Sequence, residues 1–88
     1  MSGPEEIQDR LMEFLRRDVF SPEAPISEDT DLIASGFDSF SLVNLMLFVE
    51  HAYGLWIPER EITAATFKNT RSLAAVVSRL LHERRASS

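Results

Sequence analysis

The residues that could do chemistry are few: Ser39 beside Asp38, the histidines His51 and His82, and the acidic pair Asp29 and Asp31. Ser, Asp and His are the parts of a nucleophilic triad, in which the imidazole takes the serine proton and the carboxylate orients the ring. The surroundings argue against one. "GFDSF", Gly36 to Phe40, lacks the second glycine of a nucleophile elbow, no strand is predicted before it, and His51 falls about three turns along the helix that Ser39 begins. Asp29 and Asp31 open like a calcium loop, but Ile33, Ala34 and Phe40 stand where a ligand, a glycine and a glutamate are needed. No metal site is predicted, and both histidines read as surface residues. A serine at a helix start has two further roles. It can cap the helix, or it can be a point of attachment, because the unpaired N–H groups and the dipole there favour the negative charge of a phosphodiester. Asp38 cannot ligate a phosphate; it reads as a cap or as charge shown to a modifying enzyme.

These residues must be positioned by helices. Ile7, Leu11, Phe14 and Leu15 recur at three-and-four spacing, which predicts a first helix over about 4–17, with Ser2 and Glu5 as a capping box and Arg16 and Arg17 at its negative end. Residues 18–38 hold Pro22 and Pro25 and form a long loop, too apolar for a linker, with a short turn near Asp29 to Ala34. The second helix is predicted over about 39–53, with Gly54 as its left-handed C-terminal cap. At about 100° per residue, Leu42, Met46, Val49 and Tyr53 make its core stripe. Ser41, Asn44, Phe48 and His51 fall opposite, with Phe40 and Leu47 on a flank. This helix is apolar almost all round, so it is either covered on several sides or leaves a patch near Ser39 for a partner, with Phe48 expected outside. A short helix over about 59–67 and a last helix over about 71–84, with Thr70 as N-cap, follow, and the last ends in a frayed basic tail, "HERRASS". The fold class is all-α: a small four-helix bundle, three main helices plus a short third one, with a long first loop.

Composition narrows the function. At 88 residues the chain is expected to be a single domain, 1–88, whose thin core leaves little room for an enclosed substrate. With no cysteine there is no disulfide, thiolate zinc site or nucleophilic thiol; any thiol chemistry must be imported. No apolar run reaches the ~18 residues of a membrane span, and the acidic start is unlike a signal peptide, so a cytoplasmic protein is expected. The net charge of -5 argues against nucleic acid. From Asp18 to Glu59 there are acids but no Lys or Arg. That one-signed stretch is either a solvated face or a means of steering toward basic partners.

The run "DTDLIASGFDSFSLVNLMLFVEHAYGLWIP", Asp29 to Pro58, resembles the carrier proteins of fatty acid, polyketide and nonribosomal peptide synthesis. It carries an Asp-Leu pair before a turn, Gly36 ahead of Asp38-Ser39, an apolar helix with Glu50, an aromatic at Tyr53, then Gly and Ile-Pro; the likeness continues through "TFKNTRSLAAVV". The resemblance implies that Ser39 bears a 4'-phosphopantetheine arm, donated by coenzyme A through a magnesium-dependent phosphopantetheinyl transferase. The arm's thiol would hold an acyl or aminoacyl group as a thioester for a loading enzyme and for downstream synthase or transferase enzymes. It also implies a non-catalytic monomer acting without nucleic acid or membrane, whose tether raises the effective concentration of cargo at partner sites. Two departures stand out: Phe40 follows Ser39 where Leu is usual, and Ser41 and Asn44 stand where primary fatty acid carriers commonly show acids. Partner recognition is therefore expected from Asp38, Phe40, Asn44, Leu47, Phe48 and Glu50, with the loop acids steering. A discrete carrier of a specialised pathway, polyketide, nonribosomal peptide or related, is favoured over the general fatty acid carrier; Met1 and the polar tail suit a free-standing protein, and a domain excised from a larger synthase would look similar. The rivals are a helical interaction module in which Ser39 only caps, and a small serine hydrolase.

Overall fold

The computed structural model describes residues 3–87, with side chains as far as Arg84. It contains three α-helices, and no strand occurs among the described residues. The first, α1 (Pro4–Phe14), starts from an extended Gly3 with proline in its first turn and Glu5 and Glu6 at the positive end of its dipole. The capping role proposed for Ser2 lies outside the described residues. The α-helical ladder stops at Phe14, short of the expected Arg17, and the chain winds on through a π-helical turn, Leu15–Val19, closed by Phe20 N–H donating to the Leu15 carbonyl at 2.7 Å. The wider turn keeps Leu15 sealed while bringing Val19 and Phe20 onto the core.

The second helix, α2 (Ser39–Tyr53), begins after an extended Asp38 and ends at Gly54, whose φ of 64° lies in the left-handed region that glycine adopts without strain. Leu45, Met46 and Val49 are buried, and Leu42 and Tyr53 pack half-buried against the core. Phe48 does not face outward as the helical angles suggest. It is half-buried, stacked on Phe14 with ring centroids 4.7 Å apart, because the end of α1 offers it an aromatic partner.

The expected short third helix does not form, so the bundle has three helices and not four. Glu59–Glu61 makes one 3-10 turn, and the chain then folds around Thr63, whose hydroxyl accepts from Thr66 N–H at 3.2 Å while its carbonyl accepts from Phe67 N–H at 3.2 Å. This is the geometry of a helix N-cap: Thr63 opens a separate turn and so divides it from the Glu59–Glu61 turn. The third helix, α3 (Thr70–Ser87), is capped by Asn69 instead of Thr70: Asn69 Oδ1 accepts from Ser72 N–H at 2.8 Å. Thr70 is the first helical residue and fully covered. Instead of fraying after 84, the helix runs on to Ser87.

The core forms where α1 packs on α3 and α2 closes over them: Ile7, Leu11, Leu15, Leu45, Val49, Leu73 and Val77 are fully covered, with Leu32 and Ile57 contributed by the connections. The long loop is tied down. Arg16 donates to the Ile26 carbonyl at 2.8 Å, Leu32 N–H donates to the Lys68 carbonyl at 2.9 Å, and Arg71 N–H donates to the Glu28 carbonyl at 3.0 Å. The Arg71 guanidinium also holds Asp29 Oδ1 at 2.9 Å, and this pairing lowers the Asp29 carboxyl pKa from its usual value. No helix among the described residues is long and apolar enough to cross a membrane.

Candidate functional site

The approach to α2 is built by one side chain after another. Asp31 caps a turn over Leu32–Gly36: its Oδ1 accepts from Ala34 N–H at 3.0 Å, and its carbonyl accepts from both Ser35 N–H and Ser35 Oγ. Gly36, at φ 110°, reverses the chain, and Phe37 N–H closes the turn on the Leu32 carbonyl at 3.0 Å. Leu32, fully buried, nails the turn to the core, and Phe37 stacks on Phe67 with centroids 5.5 Å apart. Asp38 and Ser39 are thus delivered at a fixed point of the surface.

Asp38 caps α2. Its Oδ1 accepts from Ser41 N–H at 3.0 Å and from Ser41 Oγ at 3.1 Å, and these two bonds hold its pKa below the usual carboxylate value although it is exposed to solvent. With Asp38 in this role, Ser39 is free of it. Ser39 is exposed in the first turn, and among the described residues nothing engages its hydroxyl by hydrogen bond. The N–H groups of Ser39 and Phe40 precede the first rung of the helical ladder, Leu42 N–H to the Asp38 carbonyl at 2.9 Å. An exposed nucleophilic oxygen therefore sits over a positive helix end, where a phosphate ester is electrostatically accommodated.

Two apolar surfaces flank this serine. On one side α2 presents a ridge of exposed side chains at three-and-four spacing: Phe40 at 82%, Val43 at 56% and Leu47 at 54% exposure, with Asn44 exposed among them and Glu50 on the Val43 flank. Val43 escaped the sequence reading, although its position three after Phe40 and four before Leu47 is the signal that finds it. On the other side lies an open groove of about 350 Å³, lined by Ile33, Phe37, Asp38, Ser39, Leu42, Ile62, Thr63, Ala64 and Phe67. Of the partner-recognition residues expected from the sequence, Asp38, Phe40, Asn44, Leu47 and Glu50 are exposed around or below Ser39, whereas Phe48 turns toward Phe14.

Neither histidine shares a hollow with Ser39. His51 is exposed beside Phe14, Arg17, Asp18 and Asn44 in a hollow that excludes Ser39, and His82 is exposed on α3. No group of three His, Cys, Asp or Glu side chains able to hold a metal occurs among the described residues.

Comparison with known proteins agrees with this geometry. Residues 5–80 match the family described as "Phosphopantetheine attachment site". The chain is also similar to the aminoacyl carrier protein of Agrobacterium fabrum (strain C58 / ATCC 33970), 28% identical over 67 residues, a match covering 76% of this chain and 81% of that one.

Proposed function

Because the chain belongs to the phosphopantetheine attachment-site family, whose prosthetic group is a covalently attached 4'-phosphopantetheine, we propose that Ser39 is the residue that bears it. The observation that carries this reading is a division of labour: Asp38 does the capping, so the Ser39 hydroxyl stands exposed and unengaged at the head of α2. In arm transfer, Ser39 Oγ forms a bond to the pantetheine-bearing phosphorus of coenzyme A. Its proton leaves to a base of the transferase, and 3',5'-ADP departs with the broken phosphoanhydride oxygen. The first-turn N–H groups of α2 would favour the negative charge of a phosphodiester on Ser39. Asp38 remains the cap, its carboxylate held by Ser41, and takes no proton in the step. The bound arm supplies a terminal thiol, which a chain without cysteine does not otherwise have, for carrying cargo as a thioester.

The chain, one carrier domain acting in the cytoplasm as a non-catalytic monomer, presents its cargo to a loading enzyme and to downstream enzymes of a specialised pathway. Three observations favour such a pathway over general fatty acid synthesis: the apolar ridge of Phe40, Val43 and Leu47, the near absence of acids on α2, and the similarity to an aminoacyl carrier. The ridge is suited to apolar contact with partners, while Asp31, Asp38 and Glu50 give direction to the encounter. Incubation with coenzyme A, magnesium and a broad-specificity phosphopantetheinyl transferase is expected to add the mass of one arm to the protein, and Ser39→Ala to abolish the addition. An unmodified wild type, or a modified Ser39→Ala, refutes the assignment.

A further inference from the structure

We propose that Lys68 is a site of self-acylation: its amine takes the acyl group from an arm whose cargo no partner has collected, and keeps it as an amide. The proposal rests on the reading of Ser39 as the arm-bearing residue and adds to it a reaction between the cargo and this chain's own side chain. Composition singles Lys68 out. Of the nine basic side chains eight are arginines, whose delocalised guanidinium stays charged. Lys68 is the only lysine, and so the one side chain here that can offer a neutral amine as a nucleophile. It is also the one Lys or Arg among the described side chains with no partner. Arg16 and Arg84 donate to carbonyls, Arg17, Arg60, Arg71 and Arg79 pair with carboxylates, and Arg10 lies over the Tyr53 ring. Pairing matters because a carboxylate beside a lysine favours the charged form, which has no lone pair to give.

The fold roots this amine close to Ser39. Lys68 is exposed, and its backbone is pinned, its carbonyl accepting from Leu32 N–H at 2.9 Å. The residue before it, Phe67, stacks on Phe37, two positions before Ser39, with centroids 5.5 Å apart. Lys68 lines an open hollow of about 500 Å³ with Asp31, Ile33, Ala34, Ala64 and Ala65, and of these Ile33 and Ala64 also line the hollow that contains Ser39. The two hollows thus meet along Ile33 and Ala64. Asp31, the carboxylate of the Lys68 hollow, makes no ion pair with the lysine and accepts from Ala34 N–H instead. An arm on Ser39 keeps its thioester near this amine, and a tether replaces a chance encounter between molecules by one within a molecule.

The step needs no added reactant. Lys68 Nζ attacks the carbonyl carbon of the thioester, the C–N bond of an amide forms, and the C–S bond breaks. The sulfur leaves with its electron pair and takes up the proton that the nitrogen sheds, which restores the thiol of the arm. An amide is more stable than a thioester, so the acyl group stays on Lys68. Cargo that a partner collects promptly escapes the step.

The test loads the full-length protein with an acetylated arm from acetyl-coenzyme A through the transferase and confirms the arm by mass. Failure to gain an arm refutes the Ser39 reading; every later outcome concerns Lys68 alone. The loaded protein is incubated without partner enzymes and then treated with neutral hydroxylamine, which strips thioesters and leaves amides. One hydroxylamine-stable acetyl group per molecule, mapped to Lys68 by peptide mass, is expected. With protein and acetyl-coenzyme A each at about 0.05 mM, the loaded protein should gain it at least about tenfold faster than an unloaded Ser39→Ala protein exposed to acetyl-coenzyme A, because a tether sets an effective concentration in the millimolar range. The rate per molecule should hold on dilution, as a step within one molecule does. Lys68→Arg, which keeps the charge and removes the amine, should take the arm as the wild type does and retain no stable acetyl group. The proposal is overturned if hydroxylamine removes every acetyl group, or if Lys68→Arg or the unloaded protein is labelled as fast as the loaded wild type. A rate that falls in proportion to dilution marks transfer between copies and overturns it too.

Discussion

The inner and outer faces of α2 are made of the same kinds of residue and behave in opposite ways. Leu45 and Val49 are buried in the core shared with α1 and α3 and Met46 is buried beside them in sequence, while Phe40, Val43 and Leu47, interleaved with them along the same helix, stand more than half exposed. The apolar content of a helix says that a surface wants covering; it does not say whether the cover belongs to the same chain. Here the inner face is covered in folding, and the outer face stays exposed beside Ser39, the residue we propose to bear the arm.

The comparison can be broken from the inside first. Leu45→Ala is expected to cost about 2–5 kcal/mol of folding stability, since it removes a fully covered side chain from a core that closes poorly around a void, and denaturant unfolding would show it. Phe48→Ala, which strips one ring from the Phe14 stack on a half-buried side chain, should cost less, about 1–3 kcal/mol. On the outer face, Leu47→Ser should change stability by no more than about 0.5 kcal/mol, yet raise the transferase KM by about five- to tenfold, as loss of an apolar contact at an interface does. A Leu47→Ser variant that unfolds, or a Leu45→Ala variant as stable as wild type, would erase the distinction between the faces.

The smallest effect is at the cap. The Asp38 carboxyl has a folded pKa below its unfolded one, so its contribution is present above the unfolded value near pH ~4 and is lost as pH falls through the lower folded value. Asp38→Ala should therefore lower the melting temperature slightly at neutral pH and leave the acid side of the stability profile shallower. A variant whose profile matches wild type below pH ~4 and above it would deny the cap.

Much of this was legible in the sequence, and the failures have physical causes. The all-α class followed from the three-and-four spacing of Ile7, Leu11, Phe14 and Leu15. The orientation of α2 was harder, because on a helix apolar all round, angles alone cannot separate a core position from a docking one. Phe48 went inward because Phe14 is there, and that contact joins residues far apart in sequence. The short third helix was divided locally, since Thr63 caps a new turn of its own in the middle of the expected span, and Thr70 lost the cap to Asn69, its neighbour, whose side-chain oxygen reaches Ser72. The groove was invisible because its walls come from three separate segments, around Ile33, Leu42 and Ile62 to Phe67.

The clamp of Arg71 on Glu28 and Asp29 has a consequence in time. The turn that delivers Ser39 is held through bonds to Lys68 and Arg71, and the Asp29 and Arg71 partners are 42 positions apart in the chain. During synthesis, the serine emerges well before the residues that fix its surroundings. Contacts of such separation wait until both ends are available. The turn before Ser39 therefore takes its fixed shape only once the chain around Lys68 and Arg71 has been made.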